Sequence, residues 1–178
     1  AAEADDFLVT IGISPTFPST GYGYLQKGEG MDGVTSRAVS VVDRFVEKPD
    51  LEKARQYLDA GNYFWNAGMF VWRPSVILKE LLMHAPGLSK GLDELKGTWR
   101  ETGALKEAME KVYPSLEKIS IDFAVMEKAE RVVMLESDFD WDDVGEWPAI
   151  TRHYDADGQG NVFKGEGVAT VSYTHLTL

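Results

Sequence analysis

The chain has 178 residues, 44% of them apolar, a formal charge of −11 and a sequence pI near 4.7. That length suffices for one domain burying roughly 70% of its unfolded surface, while the acidic balance excludes the clustered Lys and Arg that nonspecific nucleic-acid binding requires. With no cysteine, disulfides, thiolate zinc sites and a cysteine nucleophile are excluded too.

No run approaches the ~18 apolar residues of a membrane span and no signal peptide is visible, so a soluble, cytoplasmic protein is expected. The chain opens at "AAEADDFLVTIGI" without an initiator Met and reaches strand-like alternation almost at once, as if it began in mid-domain.

In chain order, "FLVTIGI" predicts a strand and "SPTFPSTGYGY" an irregular loop. "GEGMDG" at 28–33 fits G-x-G-x-x-G, but it precedes the β-branched run "VTSRAVSVV" instead of opening a helix, so a hairpin connection is expected. "RAVSVVDRFVEKP" is the next strand, ended by Pro49. "DLEKARQYLDAG" reads as a helix with Asp50 as N-cap, Leu51, Ala54 and Leu58 on one face, and Gly61 as its stop. "YFWNAGMFVW" returns as a strand. "RPSVILKELLMHAP" follows as a helix with Pro74 in its first turn, Ile77, Leu78, Leu81 and Leu82 as its buried stripe, and Pro86 at its end. "ALKEAMEKVY", with Leu105, Ala108, Met109 and Val112 on one face, and "SIDFAVMEKA", capped by Ser120, read as two further helices. "RVVMLES" is the last strand, and "DFDWDDVGEW" leads into a short helix through Ile150. A change to Gly-rich turns marks a boundary near residue 154. Alternating β and helical segments favour an α/β fold.

Three stretches carry candidate chemistry. Asp138, Asp140, Asp142, Asp143 and Glu146 crowd one loop; Asp143 and Ala149 occupy the positions where a calcium loop begun at Asp138 needs Gly and Glu. Either the loop is simply solvated, or it offers the one or two carboxylates that magnesium takes alongside water and substrate phosphates. "FVEKP" sets Glu47 and Lys48 at a strand end; Pro49 favours extended backbone at Lys48, and adjacent extended residues point to opposite faces. Asn66 interrupts an apolar strand, where an unpaired amide costs ~1–3 kcal/mol, so it should close a turn or face a ligand. With period two, Asn66 and Gly68 share a face, the glycine leaving room beside the amide. Gly21 and Gly23 around Tyr22 allow close backbone approach or a plain turn. His84, His153 and His175 match no metal spacing, and there is no G-x-S-x-G elbow.

Taken in order, "IGISPTFPSTGYGYL", "FVEKP", "GNYFWNAGMFVW", "SIDFAVMEKA" and "FDWDDVGEW" resemble the bacterial mannose-1-phosphate guanylyltransferases of the sugar-nucleotidyltransferase superfamily, over roughly residues 7 to 170. The resemblance implies a partial three-layer α/β/α mixed-sheet, GT-A/Rossmann-like nucleotidyltransferase fold. Residues 1–154 would be its sugar-binding part and 155–171 a linker to a C-terminal β-helix-like element. It implies transfer of GMP from GTP to mannose 1-phosphate with Mg²⁺, giving GDP-mannose and pyrophosphate, and a possible homodimer. Asp143 would ligate the metal and, with Lys48, act in catalysis. Glu47 and Asn66 would hold mannose hydroxyls, Lys48 would meet the sugar phosphate, and Tyr22 and Gly23 would line the sugar site.

The family's Gly-rich nucleotide loop and its other metal-binding Asp are not found in this sequence, so the chain alone is expected to be inactive. Where the family has "PTRPETGYGY" and "WNSGMF", this sequence has Phe17, Ser19 and Ala67. "VSYTHLTL" does not continue the pattern and resembles adapter read-through; residues 172–178 are expected to be a non-native tail. A thymidylyl- or uridylyltransferase acting on glucose 1-phosphate, or a noncatalytic sugar-nucleotide-binding subunit, are the alternatives. A glycosyltransferase D-x-D at "DFD" would leave the other four segments unexplained.

Overall fold

A computed structural model describes residues 6–31, 38–145, 147–158 and 160–162. The chain divides into two compact units, residues 1–139 and 140–178.

Among its described residues the first unit has five strands: β1 (Leu8–Ile13), β2 (Tyr24–Gly30), β3 (Val39–Val46), β4 (Tyr63–Val71) and β5 (Val132–Glu136). The sheet is mixed, as expected of α/β architecture, and closes in the order β1-β4-β2-β3-β5 with β5 back against β1. The β1–β5 pair is parallel and the other four are antiparallel. The run "YLQKGEG", not assigned as a strand from its Gly content, forms β2 because it pairs on both sides, with β3 and β4. Antiparallel pairing of β2 with β3 bears out the hairpin; Gly28 and Gly30 sit in β2, and residues 32–37 lie outside the described ones.

Helix α1 (Leu51–Ala60) starts where the Asp50 carboxylate accepts the Lys53 N–H at 2.9 Å and stops at Gly61. It buries Ala54 and stacks Tyr57 on Tyr63 of β4, ring centroids 4.0 Å apart, while Leu51 is left exposed. Helix α2 (Pro74–His84) has Pro74 at its start. Its buried face is Val76, with Ile77 and Leu81 packed on the core; Leu78 and Leu82 are 54% and 64% exposed. The buried stripe is rotated from the expected one, because the core lies under the first turn at Val76. Pro86 ends α2 and also opens α3 (Pro86–Thr102), a helix not anticipated because its Gly residues and polar face blur the apolar period. In α4 (Leu105–Val112), Ala108 and Val112 are buried but Leu105 and Met109 are exposed.

"SIDFAVMEKA" is not an α-helix. Residues Asp122–Met126 form a π turn, closed by the Glu127 N–H donating to the Asp122 carbonyl at 3.0 Å, and Ser120 supplies no side-chain cap. Ala124, Val125 and Met126 are buried in the main core with Leu8, Leu25, Phe45, Val76 and Met134. Among the described residues no helix is long and apolar enough to cross a membrane.

In the second unit, α5 (Trp147–Thr151) is a short helix. An isolated antiparallel bridge joins Ala156 to Val162 around a turn where Asp157 accepts the Asn161 N–H at 2.8 Å. The tail at 172–178 and His175 lie outside the described residues.

Candidate functional site

Strand β4 carries an irregularity at its centre. Gly12 faces Asn66 and Thr10 faces Phe70, so one residue of β1 spans the same length as Ala67, Gly68 and Met69 of β4. Within this bulge Gly68 has φ of 68°, and a Cβ on it would meet nothing within 4 Å. Gly68 therefore serves left-handed backbone, not spare room beside the amide, and the shared-face expectation for Asn66 and Gly68 fails because the bulge breaks the period of two.

The buried Asn66 has polar partners on both ends of its amide. Its Oδ1 accepts from the Thr10 hydroxyl at 2.8 Å and the Gly68 N–H at 3.2 Å, and its Nδ2 donates to Asp122 Oδ1 at 3.3 Å. Among the described residues the other hydrogen of Nδ2 meets no acceptor and is available to a ligand. The side chain is thus presented as a donor, its acceptor capacity already used by the protein.

Gly23 meets Asn66 from the neighbouring strand end, its carbonyl accepting the Asn66 N–H at 2.8 Å. A Cβ at Gly23 would lie 2.6 Å from Glu47 Oε2 and 3.3 Å from the Asn66 Cβ, so the glycine leaves the Glu47 carboxylate in its present place, and a side chain there would displace it. Gly23, Glu47 and Asn66, three residues singled out by the sequence, are brought together here.

Glu47 and Lys48 are not an extended pair. Lys48 takes φ of 45°, uncommon for a residue with a side chain and contrary to what Pro49 favours. The turn brings Lys48 Nζ within 3.6 Å of Glu47 Oε1, with the lysine side chain 59% exposed and the glutamate 9%. On either side of the turn Pro49 is buried and the Glu47 N–H donates to Glu127 Oε1 at 2.8 Å. Burial pushes the Glu47 carboxyl above its usual range, the Asp122 charge adds to the rise, Lys48 opposes it, and Glu127 adds a smaller push upward. Sequence reasoning misses Asp122, Glu127 and Thr10, because a motif read as an α-helix gives no reason for its two acids to face the same neighbours.

Tyr22 packs edge-on against Trp65 at 5.1 Å, and Phe17 does so at 4.8 Å, forming an aromatic wall beside Gly23. The loop before it is pinned where the Tyr24 hydroxyl donates to the Ser19 carbonyl at 2.9 Å and Ser19 Oγ accepts the Gly21 N–H at 3.2 Å. Burial raises the Tyr24 phenol, partly offset by Trp65, whose indole N–H lies beside it without closing a well-formed hydrogen bond.

Asp143 belongs to the second unit, where its carboxylate is exposed. A Cβ on Gly145 would press within 3.2 Å of Asp143 Oδ1. Its neighbour Asp142 is occupied: Arg152 donates to both oxygens at 2.8 and 2.6 Å, and His153 Nε2 lies 2.9 Å from Oδ2. Arg152 first, and His153 after it, hold the Asp142 carboxyl below its usual range. His84 sits 3.2 Å from Glu80 in α2, a helix-face pair. Among the described residues no three His, Asp or Glu side chains are arranged to hold a metal ion.

The family model for nucleotidyl transferases matches residues 1–159. This chain belongs to the nucleotidyl transferase family. It is 39% identical over 178 residues, 99% of its length, to a mannose-1-phosphate guanylyltransferase of Sinorhizobium fredii, and 40% identical over 93% of its length to the xanthan biosynthesis protein XanB of Xanthomonas campestris. It spans about a third of those relatives, 34% of each. A crystal structure of mannose-1-phosphate geranyltransferase from Thermus thermophilus superposes with a TM-score of 0.75 at 38% identity, covering 92% of this chain and 45% of that one. The nucleotidyl transferase fold is thus present in part, and the residues gathered around Asn66 lie within the matched stretch.

Proposed function

We propose that the protein to which this chain belongs is a mannose-1-phosphate guanylyltransferase, transferring GMP from GTP to mannose 1-phosphate and releasing pyrophosphate. The observation that carries this is the convergence of the Gly23 backbone, the Glu47 carboxylate and the Asn66 amide, with Lys48 at the rim. A buried acceptor beside an oriented donor suits adjacent sugar hydroxyls, and an exposed ammonium a few ångströms away suits the phosphate on the same sugar. Relatives named for this activity, at 38–39% identity, support the choice of sugar.

In the reaction a phosphate oxygen of the sugar attacks the α-phosphorus of the nucleotide and pyrophosphate leaves in line, so the protein mainly positions two anions. Glu47 accepts from a mannose hydroxyl, the remaining Asn66 N–H donates to another, Tyr22 and Gly23 wall the ring, and Lys48 steadies the attacking phosphate. Nucleotidyl transferases generally use divalent metal ions. Asp143 fits such an ion: it is the exposed carboxylate of its pair, whereas Asp142 is taken by Arg152 and His153. Asp143 would hold Mg²⁺, and the ion would supply charge neutralisation to phosphate oxygens. The missing cysteines accord with a reducing, cytoplasmic setting.

The test is pyrophosphate release from mannose 1-phosphate, GTP and Mg²⁺ by the polypeptide that carries this chain. Release that falls at least about 100-fold in Asp143→Asn is expected. Release only with glucose 1-phosphate and dTTP or UTP would move the substrate and keep the mechanism; silence with every pair would leave a noncatalytic binding subunit.

A further inference from the structure

We infer that the π turn Asp122–Met126 is a two-armed clamp, and that Asp122 and Glu127 are positioning residues for the sugar side of the site. Asp122 orients the Asn66 amide, and Glu127 fixes the backbone that presents Glu47. This rests on the assignment of Glu47 and Asn66 as sugar ligands.

The two arms reach different strands. Asp122 Oδ1 takes the Asn66 amide from the bulge of β4, and Glu127 Oε1 takes the Glu47 N–H just past the end of β3. Five residues make roughly 1.4 turns of an α-helix, which would swing the two carboxylates to different sides. The wider π turn, closed by Glu127 N–H to Asp122 C=O at 3.0 Å, brings them back towards one side, where β4 and the end of β3 lie. Between the arms, Ala124, Val125 and Met126 are at most 1% exposed, so the clamp is rooted in the core and its arms are held from below.

Each arm settles something its target leaves open. An amide can turn over and exchange its oxygen and nitrogen, but here Thr10 and Gly68 donate to one end while Asp122 accepts from the other, which admits one orientation only. The Glu127 bond is made to the Glu47 N–H, one peptide ahead of the left-handed Lys48, and so holds the backbone from which the Glu47 side chain leaves. The arrangement also sets the like charges of Asp122 and Glu127 near Glu47, with Lys48 opposing them.

The experiment measures steady-state kinetics of the polypeptide carrying this chain, with KM for each substrate, in Asp122→Ala, Glu127→Ala, Asp122→Asn and Glu127→Gln. An Asn or Gln oxygen still accepts the same bond. Each Ala variant is expected to raise KM for mannose 1-phosphate about tenfold while leaving KM for GTP within about twofold, and each amide variant to restore it to within about threefold. An unchanged sugar-phosphate KM, equal rises in both KM values, or failure of the amides to rescue would overturn the clamp. If the unaltered protein turns over another sugar phosphate, the same ratio is read with that substrate and decides the clamp alone; if it turns over none, the catalytic assignment and the clamp fall together.

Discussion

Glu47 carries its charge at a cost to the folded state. Its carboxyl is raised by burial first and by Asp122 next, so folding favours the protonated form. The contribution to stability is complete below the ordinary carboxylate range and is lost as pH rises through the raised folded value. Glu47→Gln should therefore raise the thermal midpoint at pH 7, with the gain shrinking as the pH is lowered into the acid range; melting curves at a series of pH values read this directly. The same substitution should weaken sugar-phosphate binding, setting stability against function at one side chain. Gly68 offers a cleaner backbone case. A side chain there meets no atom, so Gly68→Ala should cost only the left-handed conformation, about 1–2 kcal/mol by denaturant titration, with Gly68→Asn costing less.

At the scale of elements, α2 separates packing from hydrophobicity. Val76→Ala, at a position 3% exposed, should cost about 2 kcal/mol. Leu82→Ala, at 64% exposed, should change the unfolding free energy by less than about 0.5 kcal/mol although the residue is larger. Equal losses would mean that the helix buries the face its apolar spacing suggests. The contrast shows where sequence reading works. Local chemistry was legible: the Asp50 cap, Pro74 at the start of α2, the strands of alternating β-branched residues. What failed needed a partner from elsewhere in the chain. The rotation of α2 is set by where the core lies, the bulge in β4 by its register with β1, and the backbone at Glu47 is held by Glu127, eighty positions away. The site followed the same rule. Gly23, Glu47 and Asn66 could be named singly, but their convergence depends on a π turn whose extra residue leaves no mark in an apolar pattern.

At the scale of the molecule, a formal charge of −11 is distributed over a chain with only 18 Lys and Arg. Self-repulsion on that scale weakens the compact state and is relieved by screening. Raising NaCl from about 0.05 to about 0.5 M should lift the thermal midpoint, and an unchanged midpoint would show the charges already balanced locally, as Asp142 is by Arg152 and His153. The closed order of the five strands has a further effect. Among the described residues each of β1 to β5 pairs along part of its length with two others, so the sheet offers a passing chain only short free margins of N–H and C=O groups. Exposed apolar side chains such as Val71 on β4 can still stick, but margins this short give a new strand little to pair with while the ring stays shut. Fibrillar aggregation of this protein should therefore begin from opened rings, and its rate should track unfolding more closely than concentration.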